Sequence, residues 1–176
     1  MKKLLLVLLI FVVLGILGLL LYYNFYKHAY EDKTYKFMLL DTRGWGVLDP
    51  KEGVYMSLGT YKNNKIISYF GISPVLKSVN KNKDRQSMEN LCRDVLKEQN
   101  PKNYSFSEVK INELSGYTCQ AEVVGLNINE TLHLSEFILF GNDSNQYDYI
   151  LIASFPLNNS KEKEKVETLL NNFWTK

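Results

Sequence analysis

The pattern of hydrophobic positions divides the chain into one long apolar run followed by short alternating runs. From Leu4 to Leu21, eighteen consecutive residues lack a polar side chain. As an α-helix this run is about 27 Å long, which is close to the hydrocarbon thickness of a bilayer. The run therefore predicts an N-terminal transmembrane helix.

The residues on either side of this run predict its orientation and its fate. Lys2 and Lys3 precede it, and short Lys-rich flanks remain in the cytoplasm. The aromatic segment 22–26, YYNFY, suits the outer interface of a membrane and fits poorly with the small-residue site of a cleaved signal peptide. We therefore expect an uncleaved signal anchor in the cytoplasmic (inner) membrane. A cleaved signal peptide is the alternative.

This interpretation divides the chain into three segments. Residues 1–23 form the transmembrane signal anchor, residues 24–33 a juxtamembrane tether, and residues 34–176 one extracytoplasmic domain. A domain of that length can bury a core of its own without a metal or several disulfides. The chain is thus expected to cross the membrane once, with its N-terminus inside and the domain periplasmic or extracellular.

Beyond the tether, strand-like runs are interrupted by two helical patterns. The predicted strands span Thr34–Leu40, Trp45–Leu48, Val54–Tyr61, Lys65–Ile72, Tyr104–Ile111, Gly116–Leu126, Glu130–Phe140 and Gln146–Phe155. The first helix has the apolar stripe Met88, Leu91, Cys92, Val95 and Leu96, with Ser87 as its expected cap. The second covers Ser160–Trp174, where Asn159 and Glu162 predict a capping box.

Consecutive strands joined by short turns indicate an antiparallel sheet, and two amphipathic helices must bury their apolar stripes against it. We predict an α+β fold in which an antiparallel β-sheet is flanked by the two helices as an α/β/α sandwich, preceded by the transmembrane helix.

The charge balance argues against a nucleic-acid partner. Removing Lys2 and Lys3 from the 21 basic residues leaves as many basic as acidic residues, 19 of each. A nucleic-acid-binding domain is expected to carry a basic excess or a basic face. We therefore expect no nucleic-acid binding.

Few side chains suit catalysis or metal binding. The two histidines are His28, in the tether, and His133, in a predicted strand, and we interpret both as structural. Asp143 lies in a polar GNDSN turn that lacks the Gly and Glu positions of a calcium-binding loop. The sequence therefore predicts no catalytic residue, no metal site and no cofactor, and we interpret the protein as a non-enzyme.

The two cysteines, Cys92 and Cys119, both fall on predicted apolar faces, one on the first helix and the other on a strand. In an oxidising compartment two such thiols can form a disulfide. Closing this loop stabilises a fold by roughly 3–4 kcal/mol in the chain-entropy description. We predict the disulfide; two reduced, separately buried cysteines are the alternative.

Candidate binding residues are Trp45 and the basic loop Lys77–Arg85. For Trp45 a place in the core is the favoured interpretation, and a binding role is the alternative. The basic side chains of the loop are Lys77, Lys81, Lys83 and Arg85. They form either a solvated surface or a site for an acidic partner or anionic headgroups.

Several segments of the domain resemble the PsbP-like superfamily, which includes DcrB-like bacterial envelope proteins, the lumenal extrinsic subunit of photosystem II and a Ran-binding import factor. The matching segments, within 35–174, are YKFMLLDTRGWGV, SMENLCRDVLKEQ, INELSGYTCQAEVVG, SEFILFGNDSNQYDYILIASFP and KEKVETLLNNFW. Members of the superfamily mostly bind other proteins or stabilise assemblies. The resemblance implies that this domain also binds another protein or stabilises an assembly. It identifies no particular binding residue, because the members share no single site.

The function expected from these observations is that of a membrane-anchored extracytoplasmic domain. It would bind an unidentified protein partner or stabilise an envelope assembly, with a secretion-apparatus or immunity role as special cases. The alternative is a carrier of a small ligand or lipid, held in a pocket between sheet and helix.

Overall fold

In the computed structural model, the described residues are 2–26, 29–49, 53–79, 82–97, 99–125 and 130–176, and within 2–26 side chains are described for 10–22. The helices are α1 Lys2–Tyr26, α2 Arg85–Lys97 and α3 Ser160–Asn171. The strands are β1 Tyr30–Asp32, β2 Phe37–Leu39, β3 Gly46–Leu48, β4 Met56–Lys62, β5 Lys65–Leu76, β6 Lys102–Ile111, β7 Leu114–Val124, β8 Thr131–Phe140, β9 Tyr147–Pro156 and β10 Phe173–Thr175.

The apolar run predicted as a transmembrane anchor lies within α1. Among the residues described in full, no helix combines the length and the apolar character needed to cross a membrane. The anchor therefore stays a prediction.

The strands form two antiparallel sheets. The larger sheet has seven strands in the order β3-β4-β5-β9-β8-β7-β6, and the smaller has the order β1-β2-β10. The hairpin predicted between β4 and β5 is confirmed. Its two turn residues, Asn63 and Asn64, have φ of 52° and 60°, which is the left-handed conformation that a two-residue hairpin requires and that Asn tolerates.

The register of the large sheet places the two later helices on opposite faces. On β8, Phe137 and Leu139 pack with Leu169 of α3. The intervening Ile138 packs with Cys92 of α2 on the other face. Because successive strand side chains point to opposite sides of a sheet, α2 and α3 cover the two faces separately. The α+β class and the α/β/α arrangement of this sheet are therefore confirmed, and the small sheet is an addition that the sequence did not predict.

The buried stripe of α2 is narrower than predicted. Met88, Cys92 and Leu96 are buried, whereas Leu91 and Val95 are 39% and 45% exposed. The three buried residues are spaced i, i+4, i+8 along one side of the helix. Leu91 and Val95 lie at the margin of that side and face solvent. The predicted cap at Ser87 is wrong. The capping residue is Asp84, which directly precedes the helix and whose carboxylate accepts a hydrogen bond from the Ser87 N–H at 3.0 Å.

The second predicted helix is shorter than Ser160–Trp174. It ends at Asn171, and Phe173–Thr175 form β10, which pairs with β2. Phe173, which was predicted to be helical, is instead a fully buried strand residue. The predicted cap is confirmed at Asn159, whose side chain accepts the Glu162 N–H.

The segment assigned to the tether contributes to the small sheet. Residues 30–32 form β1, which pairs with β2. The carboxylate of Asp32 accepts a hydrogen bond from the Tyr55 hydroxyl at 2.6 Å and from two nearby backbone amides. This contact connects β1 to the chain segment just before β4.

Candidate functional site

One cavity of the described residues is an open groove at the β6 edge of the large sheet. It has a volume of about 560 Å³. Its lining residues come from β6, β7 and β8: Glu108, Val109, Lys110, Ser115, Gly116, Tyr117 and Phe140. We call this cavity the β6–β7 groove. Strand β6 is the last strand in the sheet order, so its outer backbone groups have no neighbouring strand among the described elements.

Three half-buried aromatic side chains lie together at the groove, and we call them the aromatic wall. Tyr117 and Phe140 line the cavity, whereas Phe106 packs on Tyr117 beside it. The rings of Phe106 and Tyr117 stack with centroids 5.2 Å apart, and the ring of Phe140 meets Tyr117 edge-on at 6.0 Å. These residues come from three adjacent strands and share the α2 face. Partly exposed aromatic rings are the side chains most enriched in protein-binding sites.

Two cations from the basic loop lie over these rings. The Lys83 ammonium is 4.7 Å from the Phe140 centroid and forms an ion pair of 2.7 Å with buried Asp148. The Arg85 guanidinium is 5.3 Å from the Phe106 centroid and 3.6 Å from the Glu108 carboxylate. Lys83 and Arg85 are therefore held against the aromatic wall by intramolecular contacts.

Gly116 allows β7 and β8 to approach closely at the floor of the groove. A Cβ at this position would overlap the carbonyl oxygen of Ile138 on β8. A glycine inside a strand often marks such a close backbone approach. The sequence signal near this site was the basic loop, whose Lys83 and Arg85 lie over the aromatic rings. The aromatic wall had no signal of its own, because its members are far apart in the chain and meet only through strand register.

The overall arrangement was compared with known proteins. No protein-family model and no curated protein matches the chain. Among solved structures it is similar to the Ran-binding protein Mog1p of Saccharomyces cerevisiae, with a TM-score of 0.53 and 8% identity over 84% of this chain and 94% of that one. It is also similar to LpqN of Mycobacterium tuberculosis, involved in cell envelope biogenesis, with a TM-score of 0.53 and 9% identity over 78% of this chain and 81% of LpqN. The chain has a Mog1/PsbP-like fold.

The expected resemblance is thus confirmed for the fold. A closer relation to the DcrB-like envelope proteins stays a prediction. At such low identity the shared fold does not carry a partner or a site from one protein to another.

The Mog1/PsbP-like fold separates the sequence-predicted binding residues instead of joining them. Lys83 and Arg85 border the β6–β7 groove, and Lys77 donates a hydrogen bond to the Asn142 carbonyl at 2.6 Å. Trp45 lies on the α3 face, where its ring is 6.3 Å from Phe70. Lys81 lies outside the described residues.

Trp45 also lines a second, smaller cavity of about 260 Å³. The other lining residues come from α3 and from the segment before β3: Asp41, Arg43, Lys161, Glu164, Lys165, Thr168 and Leu169. The indole is half-buried and packs against the main core. Its placement agrees with the core interpretation that the sequence left open.

The predicted pairing of the two cysteines is confirmed. Cys92 of α2 and Cys119 of β7 form a disulfide with their Cα atoms 6.0 Å apart, within the usual range for such a bond. Both residues are fully buried. The bond fastens α2 to the sheet.

A buried carboxyl group lies beside this disulfide. Glu136 of β8 is directly opposite Cys119 in the sheet register, and it is 3% exposed. Burial raises the pKa of Glu136 to about 7. Its Oε2 atom has no hydrogen-bond partner among the described residues, and neither does the nearby hydroxyl of Tyr104. A buried oxygen without a partner is costly.

The remaining candidate residues have structural surroundings. His133 is half-buried on β8 with its ring centroid 5.0 Å from that of Phe155, and burial, with a further effect of Lys163, lowers its pKa. Asp143 lies in the β8–β9 turn, which is closed by the Asn145 N–H bond to the Asn142 carbonyl at 3.0 Å. His28 lies outside the described residues.

Proposed function

We propose that this protein is a non-enzymatic, membrane-anchored extracytoplasmic domain that binds a protein partner or stabilises an envelope assembly. In this proposal an extended segment of the partner docks in the β6–β7 groove. The observation that carries it is the location of this groove, which lies directly against an edge strand.

The edge strand offers main-chain recognition. An extended peptide can add to an open sheet edge through backbone hydrogen bonds, with side-chain pockets giving the specificity. The register of β6 shifts between Lys102 and Ser105, whereas the portion from Ser105 to Ile111 pairs regularly with β7. A bulge discourages edge pairing at the first end. The regular end is the one that borders the groove.

The groove offers side-chain recognition at the same place. Tyr117 and Phe140 supply apolar contact area, and the exposed side chains of Glu108 and Lys110 supply one charge of each sign. A partner segment with alternating apolar and charged residues matches this pattern, because successive strand side chains face opposite sides. The mixed rim argues for a protein and not for a polyanion.

The similar structures support a binding role without identifying the partner. Mog1p is a Ran-binding protein and LpqN is involved in cell envelope biogenesis. We transfer from them only the general idea of a binding module in the envelope, since a fold hosts many functions.

The proposed location rests on the sequence. The apolar run Leu4–Leu21 is long enough to span a bilayer as a helix, and Lys2 and Lys3 precede it. The disulfide is consistent with an oxidising compartment, where such bonds persist.

The alternative function, a carrier with a pocket between sheet and helix, has less support. The β6–β7 groove is lined by strand residues. The smaller cavity lies between α3 and the segment before β3. Neither of these two described cavities is an apolar space enclosed between a helix and the sheet.

Site-specific photocrosslinking in intact membranes tests the groove. A photoreactive amino acid replaces Lys110 at the groove or, as the matched control, Lys62 at the end of the β4–β5 hairpin; both positions are exposed. We expect a discrete protein adduct at position 110 and none at position 62. Filling the groove with Ser115→Arg should remove the adduct. Equal labelling at both positions, or no adduct at position 110, would contradict docking in this groove.

A further inference from the structure

The disulfide and the buried carboxyl group beside it form a cluster that the proposed function does not use. The Sγ atoms of Cys92 and Cys119 and a carboxylate oxygen of Glu136 all lie within 4.8 Å of one another. Two thiolates and a carboxylate are ligands that Zn²⁺ accepts, and a tetrahedral site of this kind places its ligands about 2.0–2.3 Å from the metal. The three groups are therefore close enough to surround one ion.

We propose that reduction of the disulfide creates a divalent-metal site of the zinc class. Its protein ligands are Cys92 Sγ, Cys119 Sγ and a Glu136 carboxylate oxygen, and water is the fourth ligand. In the oxidised chain the two sulfurs are bonded to each other, so the metal and the disulfide exclude one another.

The unsatisfied carboxylate is a second and independent observation for this site. Glu136 is almost fully buried, and its Oε2 atom lacks a hydrogen-bond partner among the described residues. A buried oxygen without a partner is costly, and coordination to a metal ion would give it one. The apolar surroundings strengthen a metal–ligand interaction. They consist of one buried cluster formed by Met88, Cys92, Leu96, Cys119, Ala121 and Ile138.

The chemistry balances with a dithiol reductant. The reductant transfers two electrons and two protons to the disulfide, becomes a disulfide itself, and leaves one thiol on Cys92 and one on Cys119. The metal then binds both thiolates and displaces their two protons. Where the Glu136 carboxyl is protonated, metal binding displaces that proton as well.

The bound metal ion would be a second means of attaching α2 to the sheet, in place of the disulfide. This helix buries Met88, Cys92 and Leu96, and the disulfide is its covalent attachment to the sheet. A metal bound to Cys92 from α2, Cys119 from β7 and Glu136 from β8 would connect the same elements. The domain could thereby keep its fold under reducing conditions when the metal is present.

Cobalt titration of the full-length protein tests this proposal. The protein is reduced with a dithiol, freed of reductant under anaerobic conditions and titrated with Co²⁺. We expect thiolate-to-cobalt charge-transfer absorption and tetrahedral visible bands that saturate at one ion per chain and disappear on adding Zn²⁺. The oxidised protein should show neither. Absence of charge-transfer absorption in the reduced protein overturns the site.

Two variants identify the carboxylate ligand. Glu136→Gln should weaken Co²⁺ binding about tenfold or more, since even second-shell changes cost that much. Asp94→Asn, on the exposed side of α2, is the matched control and should bind as the unchanged chain does. Equal affinity of the two variants overturns the three-ligand site. If the reduced chain unfolds, circular dichroism must show refolding on one equivalent of Co²⁺; binding without refolding also overturns the proposal.

Discussion

At the scale of single residues, burial on α2 depends on which edge of its apolar face meets the sheet. Met88 and Leu91 both fit the apolar stripe of α2 in the sequence, yet one is buried and the other is 39% exposed. A helical period identifies a broad apolar face. It does not determine which edge of that face meets the sheet, because the contact depends on the partner strand.

This difference gives the first prediction. Leu169→Ala on α3 should lower the free energy of unfolding by about 2–5 kcal/mol, because Leu169 is fully buried in the main core. Leu91→Ala, the control, should change it by no more than about 0.5 kcal/mol. Urea unfolding of the two full-length variants measures both values. A similar loss at both positions would mean that α2 is rotated relative to the arrangement described above.

The second prediction concerns the pH dependence caused by Glu136. Burial raises its folded-state pKa from the ordinary value of 4.5 to about 7, so the folded chain keeps a proton that the unfolded chain releases. The contribution to stability is fully present below about pH 4.5 and is lost as the pH rises through about 7. The loss is on the order of 3 kcal/mol.

Glu136→Gln removes this titration. With the disulfide intact, the variant should lack the decline in unfolding free energy that the unchanged chain shows between about pH 4.5 and about pH 8. Denaturant unfolding at the two pH values measures the difference. Parallel pH profiles for the two proteins would show that Glu136 is solvated in the folded state.

At the scale of elements, the sequence predicted the long segments well and missed two of the four three-residue strands. The strands β4 to β9 and the helix α2 appear close to their predicted positions, because each has a clear period and turn residues at its ends. The three-residue strands β1 and β10 are present in the structure but were not predicted from the sequence. Such segments have no period of their own, and they exist because β2 lies between them.

In the candidate site, too, local features could be predicted from the sequence and long-range ones could not. The disulfide was predictable, since each cysteine lies on an apolar face of a strongly periodic element. The β6–β7 groove was not, because it depends on β6 being the edge of the sheet. Strand order is a long-range property that local patterns do not contain. The basic loop was recognised, but its contacts with Phe106 and Phe140 required the register of β6 and β8.

Glu162 connects two elements and gives the third prediction. It was predicted as part of a capping box, but its side chain reaches the β4–β5 hairpin, where it accepts hydrogen bonds from Thr60 at 2.6 Å and Ser68 at 2.7 Å. Burial acts to raise the pKa of Glu162, and the bonds from Lys165, Thr60 and Ser68 outweigh it and leave the pKa below its ordinary value.

Glu162→Ala should therefore lower the free energy of unfolding by about 1–3 kcal/mol at neutral pH, because two buried hydroxyls lose their acceptor. A lowered folded-state pKa means that this stabilisation is present above the ordinary Glu pKa and is lost as the pH falls through the folded value. Glu164→Ala, exposed on the same helix, is the control. Equal effects of the two changes at neutral pH would show that the buried contact contributes nothing.

At the scale of the whole molecule, the two faces of the large sheet have different attachments. The α3 face carries the main core and the small sheet, whereas the α2 face has a smaller cluster fastened by the disulfide. The β6–β7 groove and the proposed metal site both belong to the α2 face. The less extensively packed side of the molecule therefore holds both proposed sites, as expected for functional regions of lower local stability.

The last prediction concerns the placement of this molecule relative to the membrane. If the Leu4–Leu21 run anchors the chain with its N-terminus inside, the whole domain is exported and its C-terminus is outside the cytoplasm. A reporter enzyme that needs disulfide formation, joined after Lys176 through a flexible linker, should then be active. The same fusion without residues 4–21 should be inactive, because thiols stay reduced in the cytoplasm. Mass spectrometry of the membrane fraction should give the full-length chain. Activity of the shortened fusion, or a fragment lacking the first ~22 residues, the size of a cleaved signal peptide, would contradict the anchor.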